Sequence, residues 1–409
     1  MIHKVLTNLF GRQKKIILSV DKFSEKGKSS LVLRPMIASI INQYRERRVD
    51  GVGDLYNLPN KIAVSVWQKL LPFNPGYLGL LGASETEKNV IKAMTDLYQG
   101  SSKKINGYIT SGATEGNIYS CWLGRKYLEQ YVKKEEICLL RTDLTHFSIR
   151  KGGDIIGVQE YIVGLNTKNW NMDIDSLSAK IEDLHKKGYR GFIIPFTLGY
   201  TVGGTNDDFT EVAKYLSKIK KKLNIYFFTW IDAALSGLTY PFLSKNFKPF
   251  KNNLIKTIVV DFHKFAGVPF PAGVILYRRE METLIRKNIP YLKEKDDTLL
   301  GSRTGISAVA IWVTIQSFGK EGFKKIIFDC LKRKNQFINM IKSQFPDVII
   351  KTDSQSVHLA VIVRSALPKQ FCEKYGLSLI EYKIKFKEKT NNLLMYKLFF
   401  LPKFLIFIK

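Results

Sequence analysis

Three short stretches hold side chains whose types and spacing suit a shared chemistry. The first is Asp261-Phe262-His263-Lys264, placed after the apolar run 257–260. A lysine at a strand end is, taken alone, most often a snorkelling surface group. This one stands beside His263 and ahead of the small-residue stretch Ala266-Gly267-Val268-Pro269. Close access to a planar ligand and a lowered pKa are what a Schiff-base lysine needs. The second stretch is Ile231-Asp232-Ala233-Ala234, after the apolar run 225–230. An aspartate closing a strand is ordinarily a cap or turn former. Here the two alanines leave room for a flat ring, and a carboxylate paired with a pyridinium nitrogen lets such a ring withdraw electrons from a developing carbanion. The third is Ser111-Gly112-Ala113-Thr114-Glu115-Gly116-Asn117, at a strand-to-helix turn. Its small residues allow backbone N–H groups at a helix N-terminus to approach a phosphate. The same letters also spell a capping box.

The elements that must position these stretches alternate along the chain. A helical pattern over 85–98 places Val90, Ile91, Met94 and Leu97 on one face. A short apolar run at 107–110 meets the turn at Ser111, and a long helix is expected over 115–131. Strands are expected at 137–141, 159–163, 191–195, 225–231, 257–260 and 273–277, with helices starting near 145 and over 174–187 and 208–223. Such alternation predicts a mostly parallel sheet covered on both faces, with active residues gathered at the carboxyl ends of its strands. Residues 306–345 read as helical and 347–365 as strand-like, the pattern of a small α/β domain. Residues 1–70 read as helical arms and loops, and no internal repeat is present.

Composition narrows the function classes. The chain has 409 residues, 45% of them hydrophobic, which suits a well-cored globular protein of more than one part. Its net charge of +28 comes from 64 basic against 36 acidic residues, spread along the chain rather than clustered. With no zinc-finger spacing, aromatic RNA-binding motif or arginine-rich arm, no specific nucleic-acid partner is expected. Cys121, Cys138, Cys330 and Cys372 form no CxxC pair. That argues against a structural metal or disulfide scaffold and for a reducing, cytoplasmic setting. Cys121 and Cys330 are expected to be buried. The first twenty residues lack the apolar core and cleavage site of a secretory signal, while an organelle-targeting role stays open. The apolar C-terminus is interrupted by Lys397, Pro402 and Lys403 and is shorter than a spanning helix requires. A surface-lying segment or a degraded end is expected, without membrane contact.

Taken in order, S-G-A-T-E-G-N (111–117), T-H-F-S (145–148), D-A-A (232–234), D-F-H-K (261–264), P-A-G-V-I-L-Y-R (271–278) and G-S-R-T-G (301–305) resemble the group II pyridoxal-dependent decarboxylases. That family includes histidine, tyrosine, aspartate, glutamate and aromatic amino-acid decarboxylases. The resemblance covers roughly residues 75–330. It implies a fold-type-I α/β architecture with a seven-stranded, mostly parallel sheet between helices and a small C-terminal α/β domain. It also implies pyridoxal 5'-phosphate as cofactor, a homodimer, and decarboxylation of an L-amino acid to its amine and CO2. Histidine, serine and tyrosine are the candidate substrates. By the same resemblance, Lys264 forms the Schiff base and Asp232 pairs with the pyridine nitrogen. His146 stacks on the ring and serves as a proton donor, and Ala234 lines the opposite ring face. Gly112, Ala113, Thr114 and His263 hold the phosphate, Thr201 lies near the ring hydroxyl, and Ser302 and Arg303 belong to a loop near the partner subunit's site. No metal is expected. His3, His185 and His358 match no family motif and read as structural or surface residues. Substrate choice is assigned to the segment 75–84, with Asn74, Tyr77 and Leu80 as candidate lining residues beside the small Gly79 and Gly82.

The domain boundaries expected are a helical arm over 1–75, a large cofactor-binding domain over 76–305, a small domain over 306–380 and a divergent basic and apolar tail over 381–409. Past about residue 365 the family's usual closing strands are not recognisable, so the small domain is expected to be incomplete. Asp261 departs from the Ser, Asn or Pro that many members carry in this segment. Beside a phosphate its carboxylate is unfavourable unless turned away or hydrogen-bonded. Two other readings stay open. One is a carbon–carbon lyase like the sphingosine-phosphate lyases, which share a similar D-x-H-K and G-S-R-x-G. The other is a non-catalytic protein that has kept the fold.

Overall fold

A computed structural model of the chain describes residues 29–45, 52–53, 58–76, 82–244, 246–289 and 294–403. It falls into two units, 1–50 and 51–409. Of the first unit, helix α1 (Ser30–Arg45) is described, and its Leu31, Val32 and Ile37 are exposed. The sequence-based arm therefore does not run to residue 75 as one piece. Helix α2 (Lys61–Leu70) belongs to the second unit because its apolar face has somewhere to go: Ala63 is fully buried, with Val66 and Trp67 packed on the same core. Asn60 caps this helix by accepting from the Ala63 N–H at 2.8 Å.

The second unit is built on a seven-stranded sheet. In chain order its strands are β1 (Ile105–Thr110), β2 (Ile137–Arg141), β3 (Gln159–Ile162), β4 (Gly191–Thr197), β5 (Tyr226–Asp232), β6 (Ile255–Asp261) and β7 (Gly273–Arg278). Their spatial order is β1-β7-β6-β5-β4-β2-β3, and β7 alone runs against its neighbours. This is the mostly parallel sheet that the alternation of patterns predicts. Every residue of β4, β6 and β7 is buried, as both-face burial of central strands demands. Helices α3 (Ala83–Leu97), α4 (Ala113–Leu128), α5 (Phe147–Ile156), α6 (Ile174–Lys186) and α7 (Phe209–Leu223) supply much of the cover. Val90, Ile91 and Met94 form the buried stripe of α3. Cys121 and Cys330 are buried as expected. Gly116 lets α4 press on the sheet, since a Cβ there would stand 2.6 Å from Val259.

Helix α8 (Ile306–Gln344) leaves the large sheet and breaks its helical path at Gly319, where φ is 56°. Between β7 and α8 the strands β8 (Lys287–Ile289) and β9 (Glu294–Asp296) pair as a short ribbon. Beyond α8 come β10 (Ile349–Lys351), β11 (His358–Val363), α9 (Lys369–Tyr375), β12 (Leu379–Phe386) and β13 (Lys389–Phe399). Their strands form a second, antiparallel sheet of order β10-β11-β13-β12, flanked by α9. The expected tail over 381–409 is thus corrected through residue 399: it holds most of a hairpin, and β13 is a central strand paired with β11 and β12. The missing closing strands are β12 and β13. Their signal was present in period two. Ile384 and Phe386 turn inward while Lys383 and Lys385 alternate with them, and β13 buries Tyr396 and Leu398 on one face and Met395 on the other. The apolar run ending the chain is therefore interior strand rather than a surface-lying segment as far as residue 399, and residues 404–409 lie outside the described residues. Among the described residues no helix is long and apolar enough to cross a membrane.

Candidate active site

The carboxyl ends of the parallel strands converge on one cavity of about 280 Å³. Strand β6 ends in Asp261 and delivers His263 and Lys264; β5 ends in Asp232 and delivers Ala234. The turn after β1 brings Gly112, Ala113 and Thr114, the turn after β2 brings His146, and the loop after β4 brings Thr201. All nine residues expected around a cofactor line this cavity. It also holds Ser111, Leu144, Phe147, Thr197, Gly199, Leu235, Asp261 and Phe270, which had no assigned role.

The acidic and basic groups are closely matched. Lys264 Nζ lies 2.9 Å from Asp261 Oδ2. The other Asp261 oxygen accepts the Ala113 N–H at 2.6 Å, so this carboxylate occupies a donor at the N-terminus of α4. Asp261 is thus hydrogen-bonded inside the anion cradle, and it is almost fully buried. His263 stacks on Phe270 with ring centroids 3.9 Å apart and donates Nδ1–H to the Ala272 carbonyl at 3.1 Å. Burial lowers its pKa, partly offset by Asp261.

Asp232 is held from both sides. Its Oδ2 accepts from Asn117 Nδ2 at 2.8 Å, and its Oδ1 accepts from the Ala234 N–H at 3.1 Å. The buried carboxylate is therefore oriented before any ligand arrives. His146 caps α5: its Nδ1 accepts the Ser148 N–H and meets Ser148 Oγ at 2.8 Å. Burial lowers the His146 pKa, with Asp232 opposing that shift and Lys264 adding to it.

Ser302 and Arg303 stand apart from this cluster. They line a second cavity of about 550 Å³ with Asn74, Trp67, Pro75 and Glu115, which meets the first at Ser111. Arg303 donates to Glu87 Oε2 at 2.7 Å and to the Ile109 carbonyl at 2.9 Å, and its guanidinium lies over the Tyr108 ring. Tyr77, Gly79 and Leu80 lie outside the described residues, as do His3 and the N-terminal segment. His358 is buried between Ser356 Oγ and the Tyr200 carbonyl, each at 2.9 Å, and His185 reaches the Leu223 carbonyl.

The fit to a phosphorylated planar ring can be tested on these residues. Gly112 leaves a cradle at the start of α4 that a side chain would fill, since a Cβ there would stand 3.0 Å from the His263 ring. Beside it are a lysine, an oriented carboxylate, a histidine and a small Ala234, which is the donor set such a ring requires.

Residues 83–364 match the pyridoxal-dependent decarboxylase conserved domain. The chain belongs to that family. As a member it is a carboxy-lyase that uses pyridoxal 5'-phosphate. Several curated proteins are similar to this decarboxylase. Tryptophan decarboxylase of Clostridium sporogenes is 28% identical over 72% of this chain and 70% of its own length. Histidine decarboxylase of Morganella morganii is 32% identical over 61% of this chain, which spans 63% of that protein. A probable L-tyrosine/L-aspartate decarboxylase of Methanosphaera stadtmanae is 30% identical over 81% of this chain and 84% of its own. Among solved structures, L-methionine decarboxylase of Streptomyces sp.590 superposes with a TM-score of 0.80 at 16% identity, covering 93% of this chain and 94% of the other. That last likeness speaks to the fold.

The resemblance identified the cavity but not what holds it in shape. Asn117 and Ser148 stand inside quoted motifs, and Trp230 inside an apolar strand. Nothing in their spacing announces that they bond to one another, and Asn117 and Asp232 are 115 positions apart.

Proposed function

We propose that this decarboxylase converts an L-amino acid to its amine and CO2, with histidine, serine and tyrosine as the substrates to test first and tryptophan and aspartate added by its relatives. The observation that carries the reading is the convergence of Lys264, Asp232 and His146 on one cavity at the strand ends. When bound, pyridoxal phosphate supplies a ring that accepts the electron pair left as CO2 departs.

The chain's own residues are read as follows. Lys264 would hold the cofactor covalently. Asp232, oriented by Asn117 and the Ala234 N–H, would place its charge beside the ring nitrogen. His146 and Ala234 would bracket the ring. Gly112, Ala113, Thr114 and His263 would hold the phosphate, and Thr201 would lie toward the ring hydroxyl. The reaction breaks the bond between Cα and the carboxylate and leaves an electron pair at Cα, which must then receive a proton. His146, which lines the cavity, is the candidate for supplying it. Ser302 and Arg303 are assigned to the loop beside a partner subunit's site in a homodimer, and the protein is placed in the cytoplasm. A non-catalytic relict of the fold would lack its closing strands, and β12 and β13 are present and paired.

Mass spectrometry of the amines formed when the purified protein and pyridoxal phosphate meet all twenty amino acids tests the reading. One amine, absent with Lys264→Ala, is expected and names the substrate. No amine from a protein that still binds the cofactor would overturn it.

A further inference from the structure

Two buried side chains, Ser148 and Asn117, connect His146 to Asp232, and a third, Trp230, anchors them. Trp230 Nε1 lies 3.1 Å from Asn117 Oδ1. Asn117 Nδ2 lies 2.8 Å from Asp232 Oδ2 and 3.0 Å from Ser148 Oγ. Ser148 Oγ lies 2.8 Å from His146 Nδ1. Trp230, Asn117 and Ser148 are fully buried, so water offers no alternative partner.

The direction of every bond in this relay follows from one fixed end. An indole N–H can only donate. Asn117 must therefore present its carbonyl oxygen to Trp230 and its amide NH2 to the other side. Both amide hydrogens are then spent, one on the Asp232 carboxylate and one on Ser148 Oγ. Ser148 has a single proton, and Asn117 already donates to its oxygen. Among the described residues that proton has one acceptor left, which is His146 Nδ1. The Ser148 N–H points at the same nitrogen, at 3.3 Å. With Nδ1 accepting, the hydrogen of a neutral His146 sits on Nε2.

We propose that Trp230, Asn117 and Ser148 are positioning residues that lock His146 as the neutral imidazole with its hydrogen on Nε2, so that it meets a ligand in the cavity as a donor and never as a base. Adding a proton at Nδ1 would turn a donor against the Ser148 hydroxyl, which cannot turn away without facing the Asn117 NH2. The charges facing His146 are Asp232 and Asp261, which favour the imidazolium, and Lys264, which opposes it. Burial is the largest influence, and it too favours the neutral ring. This assignment fixes the hydrogen-bond direction of the histidine placed beside the ring and so rests on the reading above, but the tautomer itself is readable without turnover.

The experiment is 15N NMR of the full chain labelled at histidine, with and without pyridoxal phosphate, assigning His146 by its loss in His146→Gln. The expected spectrum shows Nδ1 unprotonated and Nε2 protonated from pH 6 to pH 8. A His146 bearing its hydrogen on Nδ1 overturns the proposal. Asn117→Leu, which removes both directions of the amide, is expected to give a mixture of tautomers and a His146 titration midpoint higher by about one pH unit. If Asn117→Leu does not fold, Trp230→Phe makes the same test, because it removes the donor and keeps an aromatic ring. A variant that folds and keeps the single tautomer also overturns the assignment. A protein that yields no amine yet shows the expected tautomer defeats the decarboxylation reading alone.

Discussion

Asp261 puts a negative charge where the proposed site asks for a phosphate. Its carboxylate takes the Ala113 N–H and the Lys264 ammonium, two donors that an incoming anion would otherwise find free. A phosphate seated at the start of α4 must share that cradle with a buried like charge. Asp261→Asn removes the charge and keeps a side-chain oxygen to accept from Ala113. It is expected to tighten pyridoxal phosphate binding about tenfold, equivalent to about 1.4 kcal/mol. Pyridoxal without its phosphate provides the contrast, because both ligands sense the lost partner of Lys264 but only one carries the phosphate. Absorbance titration of each ligand reads the difference. Equal shifts for the two would show that Asp261 acts on the lysine and not on the phosphate. The candidate site was legible at this scale because strand-end residues are brought together by sheet order, so a string of short motifs sufficed. The relay behind them was not, because a hydrogen bond between distant positions leaves no spacing to read.

Among the elements, β11 and the loop after β4 meet through a histidine that matched no motif. His358 opens β11, and its ring joins Ser356 Oγ to the Tyr200 carbonyl, next to the Gly199 that lines the cavity. A Cβ on Gly204 would stand 2.3 Å from the His358 carbonyl oxygen, so the loop must turn there without a side chain, at a φ of 63°. Burial pushes the His358 pKa down to about 4, with the Tyr200 carbonyl opposing and Lys334 and Lys264 assisting. In the unfolded chain the same ring titrates at its ordinary value of about 6.5. The unfolded state therefore binds more protons between those values, and stability is lost as pH falls through that window. From pH 7 to pH 5 the loss attributable to His358 is about 2 kcal/mol. Asp207, raised to about 6 by burial, works in the opposite sense over an overlapping range, as a buried acid that favours the folded state when protonated. The clean measurement is the difference between the protein and His358→Gln in urea unfolding at both pH values. The variant is expected to lose less stability on acidification, and parallel losses would assign the pH dependence elsewhere.

Over the whole second unit, the small sheet is part of what shapes the cavity. The large sheet was readable because each of its central strands is a short apolar run between turn signals. The hairpin β12–β13 was not, because its lysines suggested a solvated tail and its apolar end suggested a surface segment, each half read without the other. Paired, they put Ile384, Phe386 and Met395 in one cluster with Leu144, Leu165, Trp170 and Tyr200. The Lys385 N–H donates to Asp143 Oδ2 at 2.8 Å, and Leu144, the next residue, lines the cavity. The hairpin thus bears on the turn that carries His146. Ile384 is fully buried at this junction. Ile384→Ala is expected to cost about 2–5 kcal/mol in urea unfolding, the usual range for emptying a well-packed aliphatic site. It should also weaken pyridoxal phosphate retention several-fold, because the turn at Leu144 loses its support. Ile349→Ala supplies the control on the same sheet, since Ile349 is 56% exposed on β10. That change should leave stability within about 0.5 kcal/mol and cofactor retention unaltered. If Ile384→Ala lowered stability by the expected amount while absorbance titration showed unchanged retention, the small sheet would stabilise the fold without shaping the site, and the coupling through Asp143 and Leu144 would be refuted.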